Sequence, residues 1–116
     1  MTNVNYVKGR AFENYVANYL RRNGFYVVRS AGSKRIFDLV AIYRGNVYGI
    51  QCKTNGRLLR KEITEMLRNY VEHAIEPIFA FRQNRRVILQ NLRTGGRFTL
   101  KQFVESVKSE RLCTTC

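Results

Sequence analysis

The sequence IFDLVAIYRGNVYGIQCK occupies residues 36–53 and decides the predicted fold. Its apolar and β-branched residues predict two strands, residues 36–43 and 47–53, and Gly45-Asn46 between them predicts a two-residue hairpin turn. The first strand is apolar on both faces, which is typical of a central strand, with Phe37 on the same face as Leu39. Asp38 interrupts this pattern. An ionised carboxylate there is costly unless a cation, hydrogen-bond donors or solvent compensates.

The predicted turn also fixes which hairpin side chains share a face. With this turn, Asp38 lies directly opposite Lys53. Side chains alternate between the two faces of a strand, so Asp38, Gln51 and Lys53 project from the same face. A three-residue turn would separate them unless a bulge restored the phase. An ordinary cross-strand ion pair between Asp38 and Lys53 is the alternative interpretation.

Helical and strand-like patterns on either side of the hairpin predict the remaining elements. In chain order we predict a helix at residues 8–22, strands at residues 25–29, 36–43 and 47–53, a helix at residues 60–75, and strands at residues 78–82 and 86–92. Pro77 ends the second helix, and Thr99 with Gln102 predicts a capping box for a last helix. The order αβββαββα predicts an α/β fold, a mixed five-stranded sheet flanked by helices.

Length and charge bound the organisation of the chain and its partners. With 116 residues it suits one domain, so we predict a single domain at residues 1–110 and a C-terminal tail at residues 111–116. Lys and Arg number 21 against 8 Asp and Glu, and the net charge of +13 predicts a polyanionic partner, nucleic acid first. A merely basic surface or an affinity for anionic lipid would give the same charge. No membrane-spanning run or export segment is present, so we expect no membrane association and a cytoplasmic location.

The three cysteines predict neither a disulfide framework nor a zinc site. An odd number does not suit a secreted disulfide scaffold, and a reducing compartment fits better. Cys113 and Cys116 form a single CxxC, and His73 does not complete the four ligands that structural zinc requires. We expect no catalytic role for His73 either.

Several segments of the N-terminal half resemble a known family. The segments are Lys8-Gly9-Arg10 with Glu13, RSAGS at residues 29–33, FDLVA at residues 37–41, and IQCK at residues 50–53. They resemble the archaeal Holliday junction resolvases of the PD-(D/E)XK nuclease superfamily over residues 6–54. The resemblance implies a restriction-endonuclease-like fold and metal-dependent DNA hydrolysis. Two positions depart from it: Phe37 stands where many superfamily members have proline, and Gln51 where the resolvases usually have glutamate.

The resemblance implies an active site made of Glu13, Asp38, Gln51 and Lys53, with Ser30 near the cleaved strand. Glu13, Asp38 and Gln51 would hold Mg²⁺, for which Mn²⁺ is expected to substitute, and Lys53 would assist catalysis. Taken alone, Glu13 at the border of a helical stripe would be read as a solvated residue. A glutamine oxygen can ligate Mg²⁺ but brings no charge, so metal affinity should fall. Mrr-like restriction nucleases resemble this Gln-X-Lys arrangement.

DNA contacts and assembly follow from the same resemblance and from the charge pattern. The predicted DNA-binding residues are Lys8, Arg10, Arg29, Ser30, Ser33, Lys34, Arg35 and Arg57. Two cuts in a four-way junction need two active sites, so we expect a homodimer, with the second helix and residues 78–81 as candidate interfaces. Three functions stay open: a junction resolvase, a restriction- or repair-type nuclease without junction selectivity, and a junction-binding protein that has lost catalysis.

Overall fold

Six strands and three helices are formed by residues 4–30 and 36–113, which the computed structural model describes, with side chains described within residues 9–30 and 36–109. The elements are α1 (Val4–Arg22), β1 (Tyr26–Arg29), β2 (Leu39–Tyr43), β3 (Asn46–Lys53), α2 (Arg60–His73), β4 (Ile75–Gln83), β5 (Arg86–Asn91), β6 (Arg97–Thr99) and α3 (Leu100–Cys113). The strands form one sheet in the order β1-β2-β3-β4-β5-β6. Among the strands of the described residues only β3 and β4 pair in parallel, so the predicted mixed α/β fold is confirmed.

The predicted count of five strands is wrong by one, because β6 follows β5 after a tight turn. Asn91 organises this turn: its side-chain oxygen accepts hydrogen bonds from the N–H groups of Arg93 and Thr94 at 2.8 and 3.2 Å. The strand is only three residues long, too short to show a periodic pattern in the sequence. The capping box after it is confirmed, since Thr99 and Gln102 exchange hydrogen bonds of 3.0 and 3.2 Å. The helix α3 includes the first three residues of the segment predicted as a tail.

The hairpin of β2 and β3 has a different turn from the predicted one. Arg44 and Gly45 form the turn with φ of 47° and 86°, and Tyr43 pairs with Asn46. A two-residue hairpin of this type needs positive φ at both turn positions, and glycine suits the second. The prediction that Asp38 lies directly opposite Lys53 is therefore wrong. Because the pairing shifts by an even number of residues, the side chains within β2 and β3 keep their predicted faces relative to one another.

The second helix ends before Pro77 rather than at it. Ala74 takes a left-handed conformation with φ of 57°, and its N–H donates to the carbonyl of Tyr70 at 2.9 Å. The chain then enters β4 at Ile75, three residues earlier than predicted. Pro77 consequently lies inside a strand, where it pairs with Gly49 of β3 and its carbonyl accepts a hydrogen bond from the N–H of Leu92.

The main core lies between the sheet and the two terminal helices. Its members include Phe12, Val16 and Leu20 of α1, Leu39, Ile50, Ile78 and Leu89 of the central strands, and Phe103, Val104 and Val107 of α3. A second set of buried side chains, Phe37, Met66, Phe79 and Phe81, stands outside this cluster. Phe79 and Phe81 alternate with Ile78 and Ala80, so this second set marks the opposite sheet face, to which α2 contributes Met66.

Phe37 was predicted to share a face with Leu39, and this is wrong. The strand β2 begins only at Leu39, so Phe37 precedes the regular alternation. The ring of Phe37 instead covers the backbone of Gly49, where a Cβ atom would lie 2.5 Å from Phe37 Cε1. An aromatic ring thus packs into the space left by the missing side chain of Gly49, directly before Asp38.

Candidate active site

Backbone hydrogen bonds from neighbouring strands hold Asp38 just before the first residue of β2. The N–H of Asp38 donates to the Ile50 carbonyl at 2.8 Å, and the N–H of Ser30 donates to the Asp38 carbonyl at 2.9 Å. The carboxylate accepts a hydrogen bond from the N–H of Cys52 on Oδ2, also at 2.8 Å. The half-buried carboxylate is therefore fixed against β3, and the predicted loop residue Ser30 is adjacent to it.

The charge of Asp38 is poorly compensated. Burial is the largest influence on the pKa of Asp38, and the net effect of its surroundings raises that pKa to about 6. The N–H of Cys52 and the Lys53 ammonium lower the pKa, whereas the Glu13 and Glu62 carboxylates raise it. A carboxylate in this condition gains more than a solvated one from a nearby divalent cation.

Asp38→Asn is expected to stabilise the metal-free protein above about pH 6. Because the pKa of Asp38 is raised by folding, the folded chain holds this proton more tightly than the unfolded chain, and stability is lost as the pH rises through about 6. The neutral side chain avoids that loss, about 1–2 kcal/mol once solvent screening of a half-buried group is allowed for. Below about pH 4 the difference should vanish, since the acid is protonated in both states. Urea unfolding of both proteins in EDTA, from about pH 4 to neutral pH, measures the difference in the free energy of unfolding. An Asp38→Asn variant no more stable than the wild type at neutral pH would contradict this prediction.

Gln51 and Lys53 lie on one face of β3, and their shared partner is a residue of α2. Gln51 is 8% exposed, and its Nε2 donates to Glu62 Oε2 at 3.3 Å. Its Oε1 is buried without a hydrogen-bond partner among the described residues. Lys53 Nζ lies 3.1 Å from the same Glu62 Oε2, and no ion pair of Lys53 with Asp38 is found in the described part of the chain. The alternative interpretation, a simple Asp38–Lys53 pair, is not what the structure shows.

Glu62 is a residue of this site that the sequence analysis missed. It is the third residue of α2, and its Oε1 accepts a hydrogen bond from the N–H of Leu59 at 2.9 Å, as in a capping box. Burial raises the pKa of Glu62, but the Leu59 N–H and the Lys53 ammonium outweigh it, so the net pKa is lowered. The available signal was the glutamate in the first turn of the helix that follows the strand carrying Lys53.

Glu13 of α1 reaches the edge of the site and pairs with a predicted DNA contact. Its Oε1 lies 3.3 Å from Arg29 Nε at the end of β1, and both side chains are partly exposed. Its charge raises the pKa of Asp38, so the two carboxylates influence each other. Within the side chains described, no three His, Cys, Asp or Glu lie close enough together to hold a metal ion. Glu13 turns to Arg29 instead of completing such a cluster.

Comparison with known proteins shows the family of this chain. Residues 4–113 match the family model described as archaeal Holliday junction resolvase (Hjc). The chain belongs to the archaeal Holliday junction resolvase family. It is 35% identical over 99 residues to the crossover junction endodeoxyribonuclease Hjc of Methanocaldococcus jannaschii, covering 79% of this chain and 74% of that protein. Its fold is similar to that of Archaeoglobus fulgidus Hjc, a Holliday junction resolvase, with a TM-score of 0.63, 23% identity and 74% of each chain covered.

Membership of the resolvase family implies a divalent metal, and the residues present fit one. Asp38 offers an under-compensated carboxylate, and the buried Oε1 of Gln51 offers an oxygen that lacks a partner among the described residues. Oxygen donors of this kind are those that Mg²⁺ prefers. Cys52 does not compete, because burial and the charges of Asp38 and Glu13 raise the pKa of its thiol and keep it neutral.

The predicted DNA contacts are only partly described. Arg10 and Arg57 are exposed, Ser30 is half-buried beside Asp38, and Arg29 is engaged with Glu13. The predicted contacts Ser33, Lys34 and Arg35, and the side chain of Lys8, lie outside the described residues and side chains. The structure thus places Ser30 at the site and leaves the remaining contacts as expectations from sequence.

Proposed function

We propose that this chain resolves four-way DNA junctions by hydrolysing phosphodiesters at the site around Asp38. One observation carries the proposal: within a chain of the resolvase family, the fixed carboxylate of Asp38 interacts with the Lys53 ammonium, and nearby on β3 the buried Oε1 of Gln51 lacks a hydrogen-bond partner among the described residues. Mg²⁺, or Mn²⁺ in its place, supplies an activated water nucleophile and neutralises charge on the phosphate oxygens.

The protein's own groups have distinct roles in this proposal. Asp38 and Gln51 hold the ion, and Glu13 completes the set of ligand oxygens after leaving Arg29. Lys53 orients the attacking water or stabilises negative charge that develops on the phosphate. Its ion pair with Glu62, at 3.1 Å, keeps the ammonium beside the site before DNA binds. No histidine base is required, and His73 is exposed at the end of α2.

DNA binding in this proposal depends mainly on basic side chains. The net charge of +13 attracts the phosphate backbone, and affinity should fall steeply as salt is raised. Proposed contacts are Lys8, Arg10, Arg29, Ser30, Ser33, Lys34, Arg35 and Arg57. Contact of Arg29 with a phosphate would release Glu13 from its 3.3 Å ion pair, which couples DNA binding to assembly of the ligand set.

A second candidate function is a nuclease of the same fold without junction selectivity, which the Gln-X-Lys arrangement favours. Labelled four-way junction, duplex and single-stranded DNA, each incubated with Mg²⁺ or EDTA, separate the possibilities. Paired cuts near the junction centre support the resolvase. Cleavage of every substrate supports the broader nuclease, and binding without metal-dependent cleavage would show a junction-binding protein instead.

The proposed assembly is a homodimer that joins two active sites for two symmetrical cuts. One of the two predicted interfaces, residues 78–81, does not suit a dimer contact, because these side chains are buried in the central strand β4. The open face of the β1–β2 pair is a better candidate: Tyr26 is 68% and Val28 45% exposed, paired with Ile42 and Val40. Exposed apolar side chains grouped on one sheet face are typical of an interface.

Val28→Glu is therefore expected to convert a dimer into a monomer, because it buries an unpaired charge at the proposed interface. Size-exclusion chromatography with light scattering measures the mass. Asn14→Glu, at an exposed position of α1, controls for added charge, and Val71→Glu tests the exposed side of α2, the other predicted interface. A Val28→Glu variant that stays dimeric, or dissociation only with Val71→Glu, would contradict this interface.

The proposed domain is residues 1–110, with residues 111–116 as a C-terminal extension, acting in the cytoplasm. None of the helices in the described residues has the length and apolar character needed to cross a membrane.

A further inference from the structure

The carboxylate of Glu62 lies beside Gln51, the position of the sequence motif that has no carboxylate of its own. Gln51 brings an oxygen but no charge to the position at which the resemblance predicts glutamate. Glu62 Oε2 lies 3.3 Å from Gln51 Nε2 and 3.1 Å from Lys53 Nζ. A negative charge is therefore present next to Gln51 and Lys53, and it comes from Glu62 of α2 rather than from a residue of β3.

The local fold explains why Glu62 reaches the site. The chain leaves β3 after Lys53, and α2 begins at Arg60, so the first turn of the helix lies near the end of the strand. The side chain of Glu62 is only 15% exposed and points toward Gln51 and Lys53. Most glutamates in a first helical turn face solvent, so this burial indicates a specific contact.

Helix capping accounts for only one of the two oxygens of Glu62. Oε1 accepts the hydrogen bond from the N–H of Leu59 at 2.9 Å, which is the role of a capping-box glutamate. Oε2 is not needed for that role and instead meets Gln51 and Lys53. A glutamine would cap equally well, since its amide oxygen also accepts this hydrogen bond. Capping therefore does not explain why this residue is a charged glutamate.

A buried oxygen beside Glu62 is an independent observation that points to a ligand. Gln51 is 8% exposed, and its Oε1 has no hydrogen-bond partner among the residues described. A buried amide oxygen without a partner is costly, and native structures contain few of them. The amide is planar, so this oxygen lies next to the nitrogen that contacts Glu62. If the amide turns over, Oε1 faces Glu62 Oε2, and a cation bound between these two oxygens would give the amide oxygen its partner.

We propose that Glu62 is a metal ligand of this site, providing with Asp38 the second carboxylate that Gln51 does not. The inference rests on the proposed nuclease function. The ion is a divalent cation that prefers oxygen ligands, and before Glu13 leaves Arg29 its binding set is Asp38, Gln51 Oε1 and Glu62 Oε2. Lys53, which pairs with Glu62 in the absence of the ion, then becomes available to the phosphate. This accounts for an active chain with a Gln-X-Lys motif.

Calorimetric titration with Mn²⁺ and with Ca²⁺, without DNA, tests the proposal. Glu62→Gln keeps the cap and removes the charge, and we expect about 10- to 100-fold weaker Mn²⁺ binding. The exchange Gln51→Glu with Glu62→Gln returns the carboxylate to β3 and should restore affinity to within about threefold of the wild type. Glu72→Gln, near the far end of the same helix, is the matched charge control and should leave affinity unchanged.

Wild-type Mn²⁺ affinity in Glu62→Gln would overturn the inference, as would an exchange variant no tighter than Glu62→Gln. Urea unfolding of each variant verifies that the cap is retained. If Glu62→Gln fails to fold, Glu62→Asp decides: about tenfold or weaker Mn²⁺ binding supports the proposal, because the shorter carboxylate no longer reaches the ion, and unchanged binding refutes it. Junction cleavage is measured separately. A wild-type chain that binds Mn²⁺ through Glu62 but cuts no junction refutes the proposed function alone.

Discussion

Asp38→Asn is expected to lower the rate of metal-dependent junction cleavage by about 1000-fold or more and to leave junction affinity within about threefold. The Asn side chain has nearly the same shape and still accepts the hydrogen bond that the Cys52 N–H donates to Asp38 at 2.8 Å. It loses the only charge that the Asp38 position offers to a cation. Metal ions contribute several kcal/mol of transition-state stabilisation, and about 4 kcal/mol corresponds to a thousandfold.

Binding and cleavage separate cleanly in this variant because they depend on opposite charges. Removing a negative charge from a chain of +13 does not weaken attraction to phosphate. Single-turnover cleavage of a labelled junction gives the rate, and a mobility shift in Ca²⁺ gives the affinity. Glu72→Gln is the control that removes an exposed carboxylate far along α2. Undiminished cleavage by Asp38→Asn would refute the site around Asp38, and loss of junction binding would show a structural role instead.

The hairpin shows why the face of a side chain is easier to predict than its partner. The turn formed at Arg44 and Gly45 rather than one residue later, which changed the residue opposite Asp38. Any two-residue turn keeps the same alternation within the two strands, so Gln51 and Lys53 stay on one face of β3, whereas Phe37 and Asp38 precede β2 and its alternation. Strand periodicity therefore predicts a shared face, whereas the opposing residue depends on backbone conformations that the sequence specifies weakly.

The ion pairs of the site could not be predicted because each joins two separate elements. Lys53 of β3 pairs with Glu62 of α2, and Arg29 of β1 pairs with Glu13 of α1. Periodicity says which side of its own helix or strand a residue occupies, but not how a helix is placed on the sheet. Glu13 was recognised through family resemblance, and Glu62, which has no place in that pattern, was not.

Phe37 is a further departure from the family pattern, and it makes Gly49 necessary. A Cβ at Gly49 would lie 2.5, 2.6 and 2.7 Å from Phe37 Cε1, Cδ1 and Cζ, closer than real contacts allow. Gly49 lies in β3 with no unusual φ, so the space taken by the ring, not backbone strain, demands glycine. The ring is buried, at 7% exposure, and cannot move away without losing that burial.

Gly49→Ala is therefore expected to destabilise the protein by about 2 kcal/mol, the cost of overpacking reduced by the lower entropy of the unfolded alanine chain. In a Phe37→Val background, which lacks the ring, the same change should be neutral or slightly stabilising. Urea unfolding of the wild type, both single variants and the double variant gives a coupling free energy of about 2–3 kcal/mol. Additive effects, with coupling below about 0.5 kcal/mol, would contradict the contact.

The contact between Phe37 and Gly49 should also affect the cleavage rate, separately from its effect on stability. Phe37 immediately precedes Asp38, whose N–H and carboxylate are bound to the backbone of β3 at 2.8 Å. When a methyl group at Gly49 displaces the ring, it also displaces the carboxylate from Gln51, and small misplacements of catalytic groups cost about 100-fold in rate. Gly49→Ala measured well below its unfolding temperature should lose cleavage, and Phe37→Val added to it should recover part of the rate. Recovery of stability without any recovery of rate would mean that the ring supports the fold but does not position Asp38.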